Sequence, residues 1–131
     1  MDDPRATSQE LLDRFARGWS KGRVDQIVST FHPMAIFLET PFSAPLQGIE
    51  AIRRWAAEIP YHQSEIAFTT GELFTAGPWF AAEFKLVFRR RKTGEWVEAK
   101  GALVAETDGT LITELRMYWH RRAGGRDTSL P

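Results

Sequence analysis

The chain has 131 residues, and its 17 basic and 17 acidic side chains cancel, so it lacks the global field that would attract nucleic acid or an anionic membrane. It contains no cysteine, which excludes disulfides, thiol chemistry and cysteine-based zinc sites. Nine Phe and five Trp residues in a chain of this size favour either a very aromatic core or an apolar cavity for a ligand.

The length is sufficient for one domain with a hydrophobic core of its own. No cationic start is followed by an apolar segment, and no apolar run approaches the length that spans a membrane. We therefore expect a cytoplasmic protein with neither a membrane nor a nucleic acid as its partner.

The first half of the chain has the apolar spacing of helices. Thr7 to Glu10 forms an S/T-x-x-E capping box, which predicts that a first helix begins there. A second, short helix is predicted to end before Pro33, because a proline disfavours helical geometry in the residue before it. Residues 34–39 are predicted to form a strand, and a third helix is predicted to end at Pro60.

The second half has the period of two that is typical of strands. Strands are predicted at about 64–75, 79–91, 95–107 and 110–121, separated by turn sequences. A parallel sheet would need helices between these strands, so the order indicates an α+β fold. We expect residues 1–122 to form one domain in which three helices pack on a strongly curved, mainly antiparallel sheet. Residues 123–131 are expected to be a flexible tail.

Alternation along the strands assigns two faces to the predicted sheet. The residues expected to face the helices are Phe80, Ala82, Phe84, Leu86 and Phe88 of one strand and Leu115, Met117 and Trp119 of the last. The opposite face mixes charges with the rings of Trp79, Trp96 and Tyr118. Several rings are unusual on a face exposed only to solvent, so this pattern favours a homodimer that forms through the outer face of the sheet.

Glu39 stands out because it follows directly on the apolar strand that ends with Leu38. A carboxylate is costly to bury without a partner. It is therefore either a catalytic base or a strand-end carboxylate that accepts backbone N–H bonds from the loop that follows. As a base, Glu39 would remove a proton next to a carbonyl group.

Four segments carry a resemblance to a known family: the first helix as far as Gly22, FHPMAIFLETP, APLQGIEAIRRW and DGTLITELRMYWH. Over about residues 8–121 the chain resembles the nuclear transport factor 2-like superfamily, and within it the SnoaL-like, ketosteroid isomerase-like branch. The resemblance implies a cone-shaped α+β fold with an apolar cavity between the helices and the sheet. This fold hosts enzymes, binding proteins and interaction modules, so it does not imply one activity.

The resemblance gives a divided result when it is carried over by position. Glu39 falls where ketosteroid isomerases have their Asp general base. The Tyr and the protonated Asp of their oxyanion hole correspond here to Phe15 and Gly101, neither of which can donate a side-chain hydrogen bond. Because such stabilisation is usually the largest catalytic contribution, the resemblance does not imply steroid isomerisation.

We therefore predict an enzyme that moves a proton on a small hydrophobic carbonyl compound, with Glu39 as its catalytic residue and without a cofactor. The resemblance implies that a ligand cavity is shaped by Phe15, Trp19, Phe37, Trp55, Phe84, Gly101, Leu115, Met117 and Trp119. The same rings could equally fill the core, so two alternatives stay open, a non-catalytic binder of an apolar molecule and a structural dimerisation module. The three histidines lack the spacing of a metal site, and no metal is predicted.

Overall fold

Three helices and seven strands are formed by residues 3–124, the part of the chain that the computed structural model describes. The helices are α1 (Pro4–Ser20), α2 (Val24–Val28) and α3 (Gly48–His62). The strands are β1 (Phe31–Leu38), β2 (Leu46–Gln47), β3 (Gln63–Thr70), β4 (Phe74–Ala76), β5 (Trp79–Arg90), β6 (Trp96–Thr107) and β7 (Ile112–Gly124). None of the helices among these residues is long and apolar enough to cross a membrane.

Helix α1 begins one turn earlier than the capping box predicts. Asp3 is the N-cap, and its carboxylate accepts a hydrogen bond of 3.0 Å from the Arg5 N–H. Pro4 fits the first helical position because the N–H that it lacks would have no partner within the helix. The predicted start at Thr7 was therefore wrong, since an Asp-Pro pair before it provides a complete N-terminus.

Helix α3 continues past the proline that was predicted to stop it. Pro60 lies inside the last turn, and the helix ends at His62. A proline removes one helical hydrogen bond, but the N–H of Gln63 donates to the Ile59 carbonyl and closes the final turn. The prediction of an end at Pro60 was wrong for this reason.

The sheet has the strand order β2-β1-β7-β6-β5-β3, and β4 pairs separately with β5. Strands β1 and β7 are parallel, and the other described pairs are antiparallel. The mainly antiparallel sheet and the α+β architecture are thus confirmed. Ala123 and Gly124, expected in the tail, pair with Val97 and Trp96 in β6. The rest of the proposed tail lies outside the described residues.

Two strands differ from their predicted limits because the pairing is irregular. Strand β1 starts at Phe31, and its register on β7 shifts between Phe31 and Ile36, where Pro33 cannot donate to the ladder. The strand predicted over 64–75 is divided into β3 and β4. Between them residues 71–73 lie opposite only residues 82–83 of β5, and the extra residue lets the Leu73 side chain turn into the core.

The three helices cover one face of the curved sheet, and the core lies between them. The five apolar residues of β5 that were assigned to this inner face are all buried, as predicted: Phe80, Ala82, Phe84, Leu86 and Phe88. On β7 the inner residues Leu115 and Met117 are buried and Trp119 is half-buried. The inner face therefore continues towards the end of β7, where the side chains become accessible.

Candidate functional site

The more accessible end of the inner face contains a cavity of about 100 Å³, bordered by α1, the end of β1, the start of β3 and strands β5 to β7. Its apolar wall consists of Trp19, Phe84, Leu86, Phe88, Val97, Ala99, Met117 and Trp119. Its polar groups are Glu39, Gln63 and Arg121. An apolar wall with a few polar groups is typical of a small-molecule site. The volume is below the roughly 150 Å³ of an engineered cavity that binds benzene, so it suits a short chain or part of one ring.

Glu39 lies immediately after β1, and its side chain is half-buried at the edge of the cavity. The indole N–H of Trp55 donates to Oε2 of Glu39 at 2.9 Å. The other carboxylate oxygen, Oε1, has no partner among residues 3–124, and no backbone N–H of these residues donates to the carboxylate. Within this part of the chain the side chain therefore does not act as a strand-end acceptor for the following loop.

Three indole N–H groups fix the surroundings of Glu39. Besides the bond from Trp55, the N–H of Trp119 donates to the Glu39 carbonyl oxygen at 2.8 Å. The N–H of Trp19 donates to Oε1 of Gln63 at 3.1 Å. Trp55 itself packs edge-on against Phe37 and Trp19, with ring centroids 4.5 Å and 5.3 Å away. Each ring is thus held both by packing and by its polar edge, which orients the carboxylate.

Gln63 and Arg121 were not among the predicted site residues. Arg121 pairs with Ala99 on β6 and so shares the inner face with Trp119, two residues earlier. Continuing the alternation of β7 by one step beyond Trp119 would have placed Arg121 on this face. Gln63 follows the last turn of α3, where the predicted helix had already ended, so the sequence pattern gave no reason to select it.

The predicted site residues fall into two groups. Trp19, Phe84, Met117, Trp119 and Glu39 lie together on the cavity wall. The other five do not border the cavity. Phe15, Phe37 and Leu115 are at most 1% exposed and lie in the packed core. Trp55 donates its hydrogen bond to Glu39, and Gly101 lies against the backbone of β7.

A scan against protein families matches residues 12–115 to the SnoaL-like domain. This chain belongs to the SnoaL-like domain family. The match includes the three helices, apart from the first turns of α1, and the sheet as far as the first four residues of β7. It also includes Glu39 and Gln63, whereas Arg121 lies beyond its last residue. A search of curated proteins found no match.

Solved structures share the fold of this SnoaL-like domain at low sequence identity. A proposed isomerase from Bacillus subtilis is 20% identical with a TM-score of 0.81, covering 91% of this chain and 90% of its own. The enzyme SalBIII, described as epoxide hydrolase/cyclase-like and acting in pyran ring formation in the polyether salinomycin, is 20% identical with a TM-score of 0.79 and covers 92% and 95%. A protein with a ketosteroid isomerase-like fold from Catenulispora acidiphila is 18% identical with a TM-score of 0.75 and covers 83% and 84%. At such identities the likeness shows the nuclear transport factor 2-like fold and no activity.

The SnoaL-like domain has a second, larger depression on the outer face of the sheet. It is an open groove of about 610 Å³ whose lining includes Glu83, Lys85 and Lys100. This groove lies on the opposite side of the sheet from Glu39 and has charged walls, so we take the smaller inner cavity as the candidate site. In residues 3–124 no group of three His, Asp or Glu side chains is arranged to hold a metal ion.

Proposed function

We propose that this SnoaL-like domain is an enzyme that moves a proton on a small hydrophobic carbonyl compound, with Glu39 as the general base. One observation carries the proposal. The Glu39 carboxylate borders an apolar cavity, has one oxygen held by the Trp55 indole and has the other oxygen without a partner in the described chain. A base that is oriented but not neutralised by a cation is suited to accept a proton from a bound molecule.

In this mechanism Oε1 of Glu39 removes a proton from the carbon next to a carbonyl group, and the electron pair moves onto the carbonyl oxygen as an enolate. An isomerase returns the proton to another carbon of the same conjugated system. A cyclase lets the carbanion attack a second carbonyl group of the same molecule, and the resulting alkoxide takes the proton. Both reactions regenerate the carboxylate and neither changes the oxidation state of the compound as a whole.

The size of the cavity limits the substrate. Pockets for drug-sized ligands have volumes of about 300–1,000 Å³, well above the 100 Å³ of this cavity. A fused four-ring steroid exceeds the available space, whereas a compound with a single ring, only part of which enters the cavity, is closer to its scale. This argument agrees with the absence of side-chain donors at Phe15 and Gly101.

The test does not require the natural substrate, because a general base catalyses hydrogen–deuterium exchange next to a carbonyl group. We would incubate the protein with a panel of small cyclic enones and diketones in D2O and follow loss of the α-proton signals by NMR. Glu39→Gln should slow the exchange by about 100-fold or more, the usual contribution of a positioned base. Glu72→Gln, which alters an exposed carboxylate in the β3–β4 connection, is the matched control and should exchange at the wild-type rate. Unchanged exchange in Glu39→Gln would remove Glu39 as the base.

A second candidate function is non-catalytic binding of a small apolar molecule. It is favoured by the two missing oxyanion donors, since an enolate formed at Glu39 would lack the stabilisation that is usually the largest catalytic contribution. In that case panel compounds would quench the fluorescence of Trp19 and Trp119 on binding, and none would exchange its α-protons faster than in buffer. Measuring quenching and exchange on the same samples separates the two functions.

We also propose that the domain forms a homodimer through the outer sheet face. The support is the outward position of Trp79, Trp96 and Tyr118, of which Tyr118 is 41% exposed. Ala102 lies between Glu83 and Tyr118 near the centre of this face. Ala102→Arg should therefore shift the sedimentation coefficient to that of a monomer. Ala57→Arg on the exposed side of α3 is the control, and a dimer that survives Ala102→Arg would contradict this interface.

A further inference from the structure

Arg121 is the cationic side chain on the cavity wall, and its position follows from the register of the sheet. Arg121 pairs with Ala99, which pairs in turn with Leu86, so the three form one inward-facing row across β7, β6 and β5. The neighbouring row consists of Trp119, Gly101 and Phe84. Arg121 borders the cavity at its accessible end, where the residue itself is exposed.

Arg121 is also the unpaired arginine of this sheet within the described chain. The arginines of β5 and β7 that have acidic partners are Arg89 with Glu65, Arg90 with Glu95, Arg116 with Glu114 and Arg122 with Glu98. Among residues 3–124 Arg121 has no ion pair and no hydrogen bond, although Glu39 borders the same cavity. Its five N–H donors are therefore available to a ligand.

Gln63 supplies a second donor at the same cavity. The Trp19 indole can only donate, so the Gln63 amide must present its oxygen to Trp19. This fixes the orientation of the amide and leaves its NH₂ group without a partner among the described residues. A guanidinium and an amide NH₂ at the same cavity form a donor pair for the two oxygens of a carboxylate.

We propose that Arg121, assisted by Gln63, binds the carboxylate of a small amphipathic acid whose apolar part occupies the cavity. The inference rests on the proposed function only in using the same cavity, and it does not require Glu39 to act as a base. One guanidinium matches one carboxylate, and the negative charge of Glu39 sets the polarity of the ligand. Its anionic end lies at Arg121 and its uncharged carbonyl end lies towards Glu39.

The experiment compares an acid with its uncharged amide. Phenylacetate and phenylacetamide are titrated into the wild-type protein, and quenching of tryptophan fluorescence gives the two dissociation constants. We expect the acid to bind about tenfold more tightly, the gain of one charge-assisted contact at an accessible site. Arg121→Gln should abolish this preference, and Arg121→Lys should restore part of it, because lysine keeps the charge but loses the bidentate geometry.

Arg122→Gln is the matched control, since it removes the same charge one residue later on the outer face. It should keep the wild-type preference for the acid. The inference is overturned if the wild-type protein does not bind phenylacetate, binds both probes equally, or keeps its preference in Arg121→Gln. Glu39→Gln should retain the preference for the acid whether or not it loses proton exchange, so failure of the general base and failure of the anion site give different results.

Discussion

Replacing Gly101 tests whether this position could carry the acidic residue that the resemblance to ketosteroid isomerases places there. A Cβ atom on residue 101 would lie 1.9 Å from the Tyr118 carbonyl oxygen and 2.6 Å from the Trp119 Cα. Both atoms belong to the backbone of β7, which cannot rotate away as a side chain can. Gly101→Asp should therefore disrupt the sheet rather than create an oxyanion hole.

The expected loss of stability follows from how far β7 must move away from the added Cβ atom. Real Cβ atoms almost never approach a heavy atom closer than 3.0 Å, so β7 would have to move by about 1 Å at a point in the middle of its pairing with β6. Overpacking of a rigid core costs about 1–3 kcal/mol and occasionally more. Because the clash is with backbone, we expect Gly101→Ala to lower the free energy of unfolding by about 3 kcal/mol. This would lower Tm by about 10 °C in a domain of this size.

The assay is thermal unfolding followed by circular dichroism, with Gly71→Ala as the control. A Cβ at Gly71 would meet its nearest neighbour, Glu83, at 3.8 Å, an ordinary contact, so Gly71→Ala should change Tm by only one or two degrees. A Gly101→Ala protein that melts within a few degrees of the wild type would refute the close approach of β7. A Gly101→Asp protein that folds and isomerises a steroid would refute the reasoning about function.

Two further predictions concern single hydrogen-bonding groups. Trp55→Phe keeps a smaller ring against Phe37 but removes the donor to Glu39, so proton exchange in the NMR assay should slow in protein that is still folded at the assay temperature. An unchanged rate would show that the indole does not position the carboxylate. The Asp108 carboxylate accepts the Leu111 and Thr110 N–H groups, which lowers its pKa. Asp108→Ala should therefore have a lower Tm than the wild type above the unfolded-state pKa of about 4. The difference should disappear as the pH falls through the lowered folded-state pKa. A difference in Tm that does not depend on pH would contradict this.

The elements that could be predicted are those in which one physical signal dominates. Strand β5 alternates strictly between Phe80 and Phe88, and burial of one face is enough to determine its orientation. The end of α3 was mispredicted because Pro60 lies in the last turn, where the Gln63 N–H still donates to the Ile59 carbonyl and closes the helix. A proline at this place removes one hydrogen bond without ending the helix, and the residue type alone does not show that.

The candidate site was partly predictable for a related reason. Glu39 was found because a carboxylate after an apolar strand is conspicuous, and Trp119 followed from the inner face of the last strand. Alternation reports which face a side chain is on, but not whether space remains in front of it. Phe15 and Phe37 share a face with the cavity wall and yet are fully packed, so the sequence could not separate them from true wall residues.

Packed aromatic rings determine which end of the space between the helices and the sheet can hold a ligand. Phe15 packs edge-on against Phe31 and Phe68 at 6.1 Å and 5.8 Å, and Phe68 stacks on Phe84 at 5.1 Å. These rings fill the deep end of the cone, and the cavity lies towards the accessible end. A substrate held there would meet Glu39 and the unpaired donors of Arg121 and Gln63. If Glu39 forms an enolate, the stabilising charge has to come from this end of the cavity, since nothing at Phe15 can supply it.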